Sequence, residues 1–284
     1  MQHQSILNFG NGRYVKLALL VCVGAIAAYA WHEPPTVYLK PYGGTAFGYT
    51  MGTISGVLVL WLMLLGVRKR RYRGALGSLQ GWTSAHVCLG TSLLVVATLH
   101  CAFEFGWNIH TLAYALMVAV IVSGFFGIYS YVRYPELMTR NLRNETLETM
   151  LLKVADLDQK CRRIALDLPD EVNAIVATAA RAEAREMNVL PDFVLRPVLS
   201  PAECPTAAAC DALKKVGRNL TGEQAKLNAQ LLVEMTRKKA LTDRIRRDLG
   251  YRAVLHLWLY FHVPLSFALL AALIAHVVSV FYFW

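Results

Sequence analysis

The chain has 284 residues, of which 56% are hydrophobic and only 17% are charged, whereas about a quarter of the residues in soluble domains are charged. This composition, with a mean hydropathy of +0.39, excludes an ordinary soluble domain and indicates a protein that crosses a bilayer several times. The net charge is +10. Because basic residues beside membrane spans orient such proteins, we interpret the charge as a topology signal and expect no nucleic-acid partner.

Five apolar runs are long enough to cross a bilayer as helices, which takes about 20 residues. They lie near 15–31, 45–67, 83–104, 111–132 and 254–283. The predicted fold class is therefore all-α, a polytopic membrane helical bundle of about five spans. Residues 1–132 hold spans one to four, and residues 254–284 hold span five.

A polar segment at 133–253 separates the fourth span from the fifth. Apolar residues recur there at mixed three- and four-residue steps, which predicts amphipathic helices near 136–166, 170–188 and 221–249. Prolines break the helical pattern between 189 and 210. We interpret 133–253 as a helical insertion that offers a docking surface.

Basic residues are concentrated in one short link between spans. The link at 68–80 carries Arg68, Lys69, Arg70, Arg71 and Arg73, whereas the links on the opposite side carry only Lys40. Cytoplasmic links are enriched in Lys and Arg. We therefore predict a multi-pass protein of the bacterial cytoplasmic (inner) membrane, with the N-terminus and 133–253 in the cytoplasm and the C-terminus at Trp284 outside.

Two histidine pairs with equal spacing lie inside the third and fifth runs. His86 and His100 are 14 residues apart, and so are His262 and His276. Fourteen residues of α-helix return to nearly the same face after a rise of about 21 Å. Both spans run outward in the predicted orientation, so His86 is expected opposite His262 on the inner side, and His100 opposite His276 on the outer side.

Neutral imidazole is a strong axial ligand for haem iron, so two matched pairs predict two b-type haems, one iron at each pair. No CxxCH motif occurs, and attachment is therefore expected to be non-covalent. Gly90, one turn after His86, is a candidate for close approach of the macrocycle, with helix packing an equal explanation. Arg68 and Arg252 are candidate partners for the haem propionates.

The paired H-x13-H pattern on the third and fifth spans resembles the dihaem core of b-type cytochromes. It is most similar to the transmembrane domain of the ferric reductase and NADPH oxidase superfamily, and it also resembles cytochrome b of the bc complexes. The resemblance covers about 80–132 and 254–284. It implies a subunit that carries single electrons across the membrane. The chain lacks a GxGxxG nucleotide motif and the PEWY signature of cytochrome b.

Without a flavin or dinucleotide motif, electrons must come from and go to other molecules. A quinone, or redox proteins on one or both faces of the membrane, would serve, so we expect an electron-transfer subunit of an oxidoreductase complex. Two alternatives stay open, a His-ligated metal-ion transporter and a membrane sensor with a helical signalling domain. A transporter needs carboxylates in its spans, where only Glu104 is near one, and a sensor leaves the matched histidines unexplained.

Overall fold

The computed structural model describes residues 9–32, 43–70, 77–188 and 204–283, and all regular secondary structure in these ranges is helical. The helices in chain order are α1 (Arg13–Trp31), α2 (Ala46–Arg70), α3 (Leu79–Cys101), α4 (Ile109–Leu142), α5 (Leu147–Leu166), α6 (Asp170–Asn188), α7 (Pro205–Val216) and α8 (Gly222–Phe283). Five of the described helices, α1 to α4 and α8, contain stretches long and apolar enough to cross a membrane. The predicted all-α, multi-pass fold is confirmed.

Several residues that carried sequence predictions lie outside the described ranges. Lys40, Arg71, Arg73 and Trp284 lie outside the described residues, as does the part of the proline-rich break at 189–203. The remainder of that break contains the start of α7, where Pro205 occupies the first helical position. Proline is well tolerated there because its missing N–H would have no partner inside the helix.

The described residues divide into two compact units, and the first comprises Met1–Phe126 with Tyr260–Trp284. Helix α3 is its most buried span. The side chain of Ser78 begins this helix by accepting a hydrogen bond from the Gly81 amide at 3.1 Å. Helices α1 and α2 both pack against α3. One apolar cluster joins residues of α2, α3, α4 and α8, namely Val59, Leu93, Ala97, Met117 and Leu269.

Large apolar side chains cover the outside of the same unit. Leu20 is 70% exposed, and Phe267 is 58% exposed. Monomeric soluble proteins rarely expose apolar surface on this scale, whereas lipid tails satisfy it. The exposed faces therefore agree with the membrane-spanning character of these helices.

The second unit comprises Gly127–Leu259. Its main apolar core includes Cys161 from α5, Val172 from α6, Leu213 from α7 and Met235 from α8. Cys210 lies in this core as well, and burial raises the pKa of its thiol. The thiol stays protonated at neutral pH and packs as a small apolar residue.

A buried ionic group also connects the helices of the second unit. Lys238 on α8 is 2% exposed and forms ion pairs with Asp158 of α5 at 2.7 Å and with Glu183 of α6 at 2.8 Å. The hydroxyl of Thr206 on α7 donates to Glu183. We call these four residues the Lys238 network. The Lys238 ammonium group thus pairs with both carboxylates, and Asp158 also pairs with Arg162 at 2.9 Å.

Two long helices differ from the predicted boundaries. The expected helix at 136–166 is divided, because α4 continues to Leu142 and Arg143 and Asn144 then take positive φ angles of 49° and 67°. Conversely, α8 is one helix of 62 residues across the expected boundary at 253. The only breaker near that point is Gly250, which costs a helix about 1 kcal/mol. The insertion therefore joins span five without a loop.

Candidate functional site

All four predicted ligand histidines belong to the first unit. We call His86 and His262 the first pair, and His100 and His276 the second pair. In the second pair the ring centres are 6.1 Å apart, with the ring planes at 68°. In the first pair His86 faces α2 and His262 faces α4. The structure thus places His100 beside His276, as the spacing predicted.

Backbone carbonyls of α2 orient both histidines of α3. The Nδ1 atom of His86 lies 3.0 Å from the carbonyl oxygen of Leu62, and that of His100 lies 2.8 Å from the carbonyl oxygen of Gly48. A carbonyl oxygen can only accept, so Nδ1 carries the proton in both rings. The Nε2 atom of a neutral ring then keeps its lone pair for a metal ion.

These two carbonyls repeat the histidine spacing. Gly48 and Leu62 are 14 residues apart on α2, as His86 and His100 are on α3. Since Gly48 faces the later histidine and Leu62 the earlier one, the two helices run antiparallel in a matched register. One helix therefore supports a histidine at each level.

The histidines of α8 face α4 instead. The Nδ1 atom of His262 lies 2.7 Å from the hydroxyl oxygen of Ser123. In the described part of the chain, the buried Nδ1 atom of His276 has no hydrogen-bond partner. The His110 ring approaches it edge-on, with the ring centres 4.3 Å apart. Ser123 and His110 were given no role from the sequence. Both lie on α4, 13 residues apart.

Glycine permits a close approach at His100. A Cβ atom added to Gly52 would lie 2.7 Å from Cε1 of His100, which is closer than side chains tolerate. A Cβ at Gly90 would meet only Leu62 at 3.8 Å, an ordinary contact, so helix packing does not require glycine there, and its role at a macrocycle stays a prediction. Gly52 is a glycine that brings a helix against a ligand histidine.

An apolar layer lies between the two levels of histidines. Leu93 is midway between His86 and His100 on α3, and Leu269 is midway between His262 and His276 on α8. Both leucines belong to the apolar cluster that joins four helices. Apolar side chains therefore pack between the two levels of histidines.

The candidate basic residues have other partners in the structure. Arg68 donates to the carbonyl oxygen of Gly77 at 2.8 Å, and Arg252 belongs to the second unit, where it pairs with Asp248 at 2.8 Å. Lys69 was counted only as a topology signal. It lies two helical turns after Leu62 on α2, and so on the face that meets His86.

Across 9–32, 43–70, 77–188 and 204–283, no three His, Cys, Asp or Glu side chains gather into a group able to hold a bare metal ion. A haem iron needs only two protein ligands because the porphyrin supplies four nitrogens, so that finding does not bear on the pairs. Comparisons with family models, with curated proteins and with solved structures each found no match.

Proposed function

We propose that this protein is a dihaem b-type membrane subunit that carries single electrons across the bilayer. His86 and His262 would ligate one haem, and His100 and His276 the other. The observation that carries the proposal is the second pair, whose ring centres are 6.1 Å apart while His100 presents a free Nε2 lone pair.

The spacing suits bis-histidine ligation. An imidazole nitrogen bonds a metal ion at about 2 Å, so the ring centres of two imidazoles on opposite sides of one iron are about 6 Å apart. The donor set also agrees, because neutral histidine is a usual axial ligand for haem. Ligand histidines in proteins donate their other ring N–H to a fixed acceptor. His86 and His100 have such acceptors in Leu62 and Gly48.

The protein's part in this activity is positioning. Haem supplies a one-electron iron couple when it is bound. The Nδ1 contacts hold three rings in one tautomer, and the layer around Leu93 and Leu269 excludes water between the levels. Two histidines at each level would supply both protein ligands of a haem iron, which suits electron transfer rather than binding of oxygen. The rise of 14 helical residues sets the levels about 21 Å apart.

The proposed location is a bacterial cytoplasmic membrane, with the N-terminus and 133–253 in the cytoplasm and the C-terminus outside. Support comes from Arg68, Lys69 and Arg70, which form the last turn of α2. An alkaline phosphatase fusion after the last span should be active, whereas one at Ala208 in α7 should be inactive. The reverse pattern would exchange the two faces and the depths of the two pairs.

The proposed partners are a quinone or a cytoplasmic redox protein on one side and a redox protein on the outer side. The second unit supports a cytoplasmic partner because it has its own core and four packed helical segments. That is far more surface than a link between two spans requires, since such links commonly take about 2–8 residues.

The proposal is tested by the haem content of the purified full chain. Protein made with adequate haem supply should give two b-type haems per chain in a pyridine haemochrome assay, and reduced-minus-oxidised spectra should show low-spin bands. Protein without these bands would contradict the proposal and leave a transporter or a sensor as the alternative. Bound zinc or copper in place of haem, measured by elemental analysis, would favour the transporter.

A further inference from the structure

We propose that Ser123 is a positioning residue that sets the electron donation of His262, and through it the redox potential of the centre at the first pair. The inference rests on the proposed function, because it concerns a haem ligated by His86 and His262.

The hydrogen bonds of Ser123 define where the protons are. Its Oγ lies 2.7 Å from the carbonyl oxygen of Val120 and 2.7 Å from Nδ1 of His262. A serine hydroxyl has one hydrogen and two lone pairs. Because the Val120 carbonyl can only accept, the hydroxyl donates to it, and the Oγ lone pair accepts the Nδ1–H of His262.

This arrangement places the proton of a neutral His262 ring on Nδ1 and leaves Nε2 unprotonated. A ligand imidazole whose N–H is held by a good acceptor is more basic, and such outer groups tune a bound metal. A more basic ligand stabilises ferric iron relative to ferrous iron, and so lowers the midpoint potential. Ser123 therefore holds the potential of the first centre below the value that an unsupported His262 would give.

Three of the ligand histidines have an Nδ1 partner in the described residues, and only that of His262, Ser123, is a side chain. The acceptors for His86 and His100 are backbone carbonyls, which substitution cannot remove. The chain has thus placed an adjustable group at one of the four ligands. A mutation at Ser123 should change one centre and leave the other as it was.

Three variants of the full chain separate tuning from packing. Ser123→Ala removes the acceptor, and Ser123→Thr retains a hydroxyl. Ser92→Ala is the matched control, because Ser92 is buried and, like Ser123, donates to the carbonyl oxygen three residues earlier, in this case that of Leu89 at 2.8 Å. The Ser92 hydroxyl has no contact with a histidine among its hydrogen bonds.

The measurement is a spectroelectrochemical titration of both haems, supported by the low-spin electron paramagnetic resonance signals. Ser123→Ala should raise one of the two midpoint potentials, change the corresponding signal, and speed transfer of that haem to an acceptor apoprotein by about tenfold. Ser123→Thr and Ser92→Ala should match the wild type. His100→Ala protein, which keeps the first pair, assigns the shifted potential.

The outcomes distinguish this inference from the proposed function. Wild-type protein without haem overturns both. Wild-type protein with two haems, together with unchanged potentials in Ser123→Ala, overturns the role of Ser123 alone. Equal shifts in Ser123→Ala and Ser92→Ala also overturn it, because loss of any buried hydroxyl would then produce the effect.

Discussion

Replacing His100 by Ala should remove the haem of the second pair and leave that of the first, whereas His262→Ala should do the opposite. Each substitution deletes one of two axial ligands, and the remaining histidine cannot hold a six-coordinate low-spin iron alone. Purified His100→Ala and His262→Ala should each contain half of the wild-type haem. Their residual spectra and midpoint potentials should differ, because different centres survive.

His256→Ala is the matched control for this experiment. His256 lies on α8 six residues before His262, but its side chain is exposed, so its removal should leave both haems in place. Loss of the same haem in His100→Ala and His262→Ala would show that the assigned pairing is wrong. Loss of both haems in each variant would mean that the two centres assemble as one unit.

Replacing Lys238 by Met should destabilise the second unit strongly. The ammonium group of Lys238 compensates Asp158 and Glu183, and Glu183 is only 4% exposed. Breaking a buried ion pair by removing one partner costs about 3–5 kcal/mol, because the remaining charge is left uncompensated. We expect rapid cleavage by trypsin within 127–259 under conditions in which the wild-type unit is resistant.

Lys239→Met provides the comparison at the adjacent position. Lys239 pairs with Asp243 at 3.0 Å, with 39% of its side chain exposed, and exposed pairs contribute about 0–1 kcal/mol. Adding Asp158→Asn and Glu183→Gln to Lys238→Met should restore resistance, since no buried charge is then left alone. Equal sensitivity of Lys238→Met and Lys239→Met would contradict the role of the network.

The histidine pairs were predictable because their geometry follows from one helix at a time. A 14-residue separation fixes the face and rise of two side chains whatever the neighbouring helices do. Ser123, Gly48 and Leu62 could not be identified in the same way. Their roles depend on which turn of α2 or α4 meets which turn of α3 or α8, and that register arises only when the helices pack.

The ends of α4 and α8 differ from the predicted helix ends for a related reason. Hydropathy falls after about 132 and rises again near 254, which suggests that helices end at these points, but the backbone continues as helix in α4 and α8. Lower hydropathy changes the surroundings of a helix without breaking its hydrogen bonds. The burial of Lys238 could not be predicted either. A lysine in a polar amphipathic segment is ordinarily solvated, and only the packing of α5, α6 and α7 encloses it.

The matched register of α2 and α3 limits how this architecture can vary. Gly48 and Leu62 serve His100 and His86 through one 14-residue interval, so a single inserted residue would rotate one level by about 100° relative to the other. Only steps of about seven residues, made together in α2, α3 and α8, restore both faces. The separation of the two centres can therefore change only in increments of about 10 Å. It cannot be adjusted in smaller increments to suit a thicker membrane.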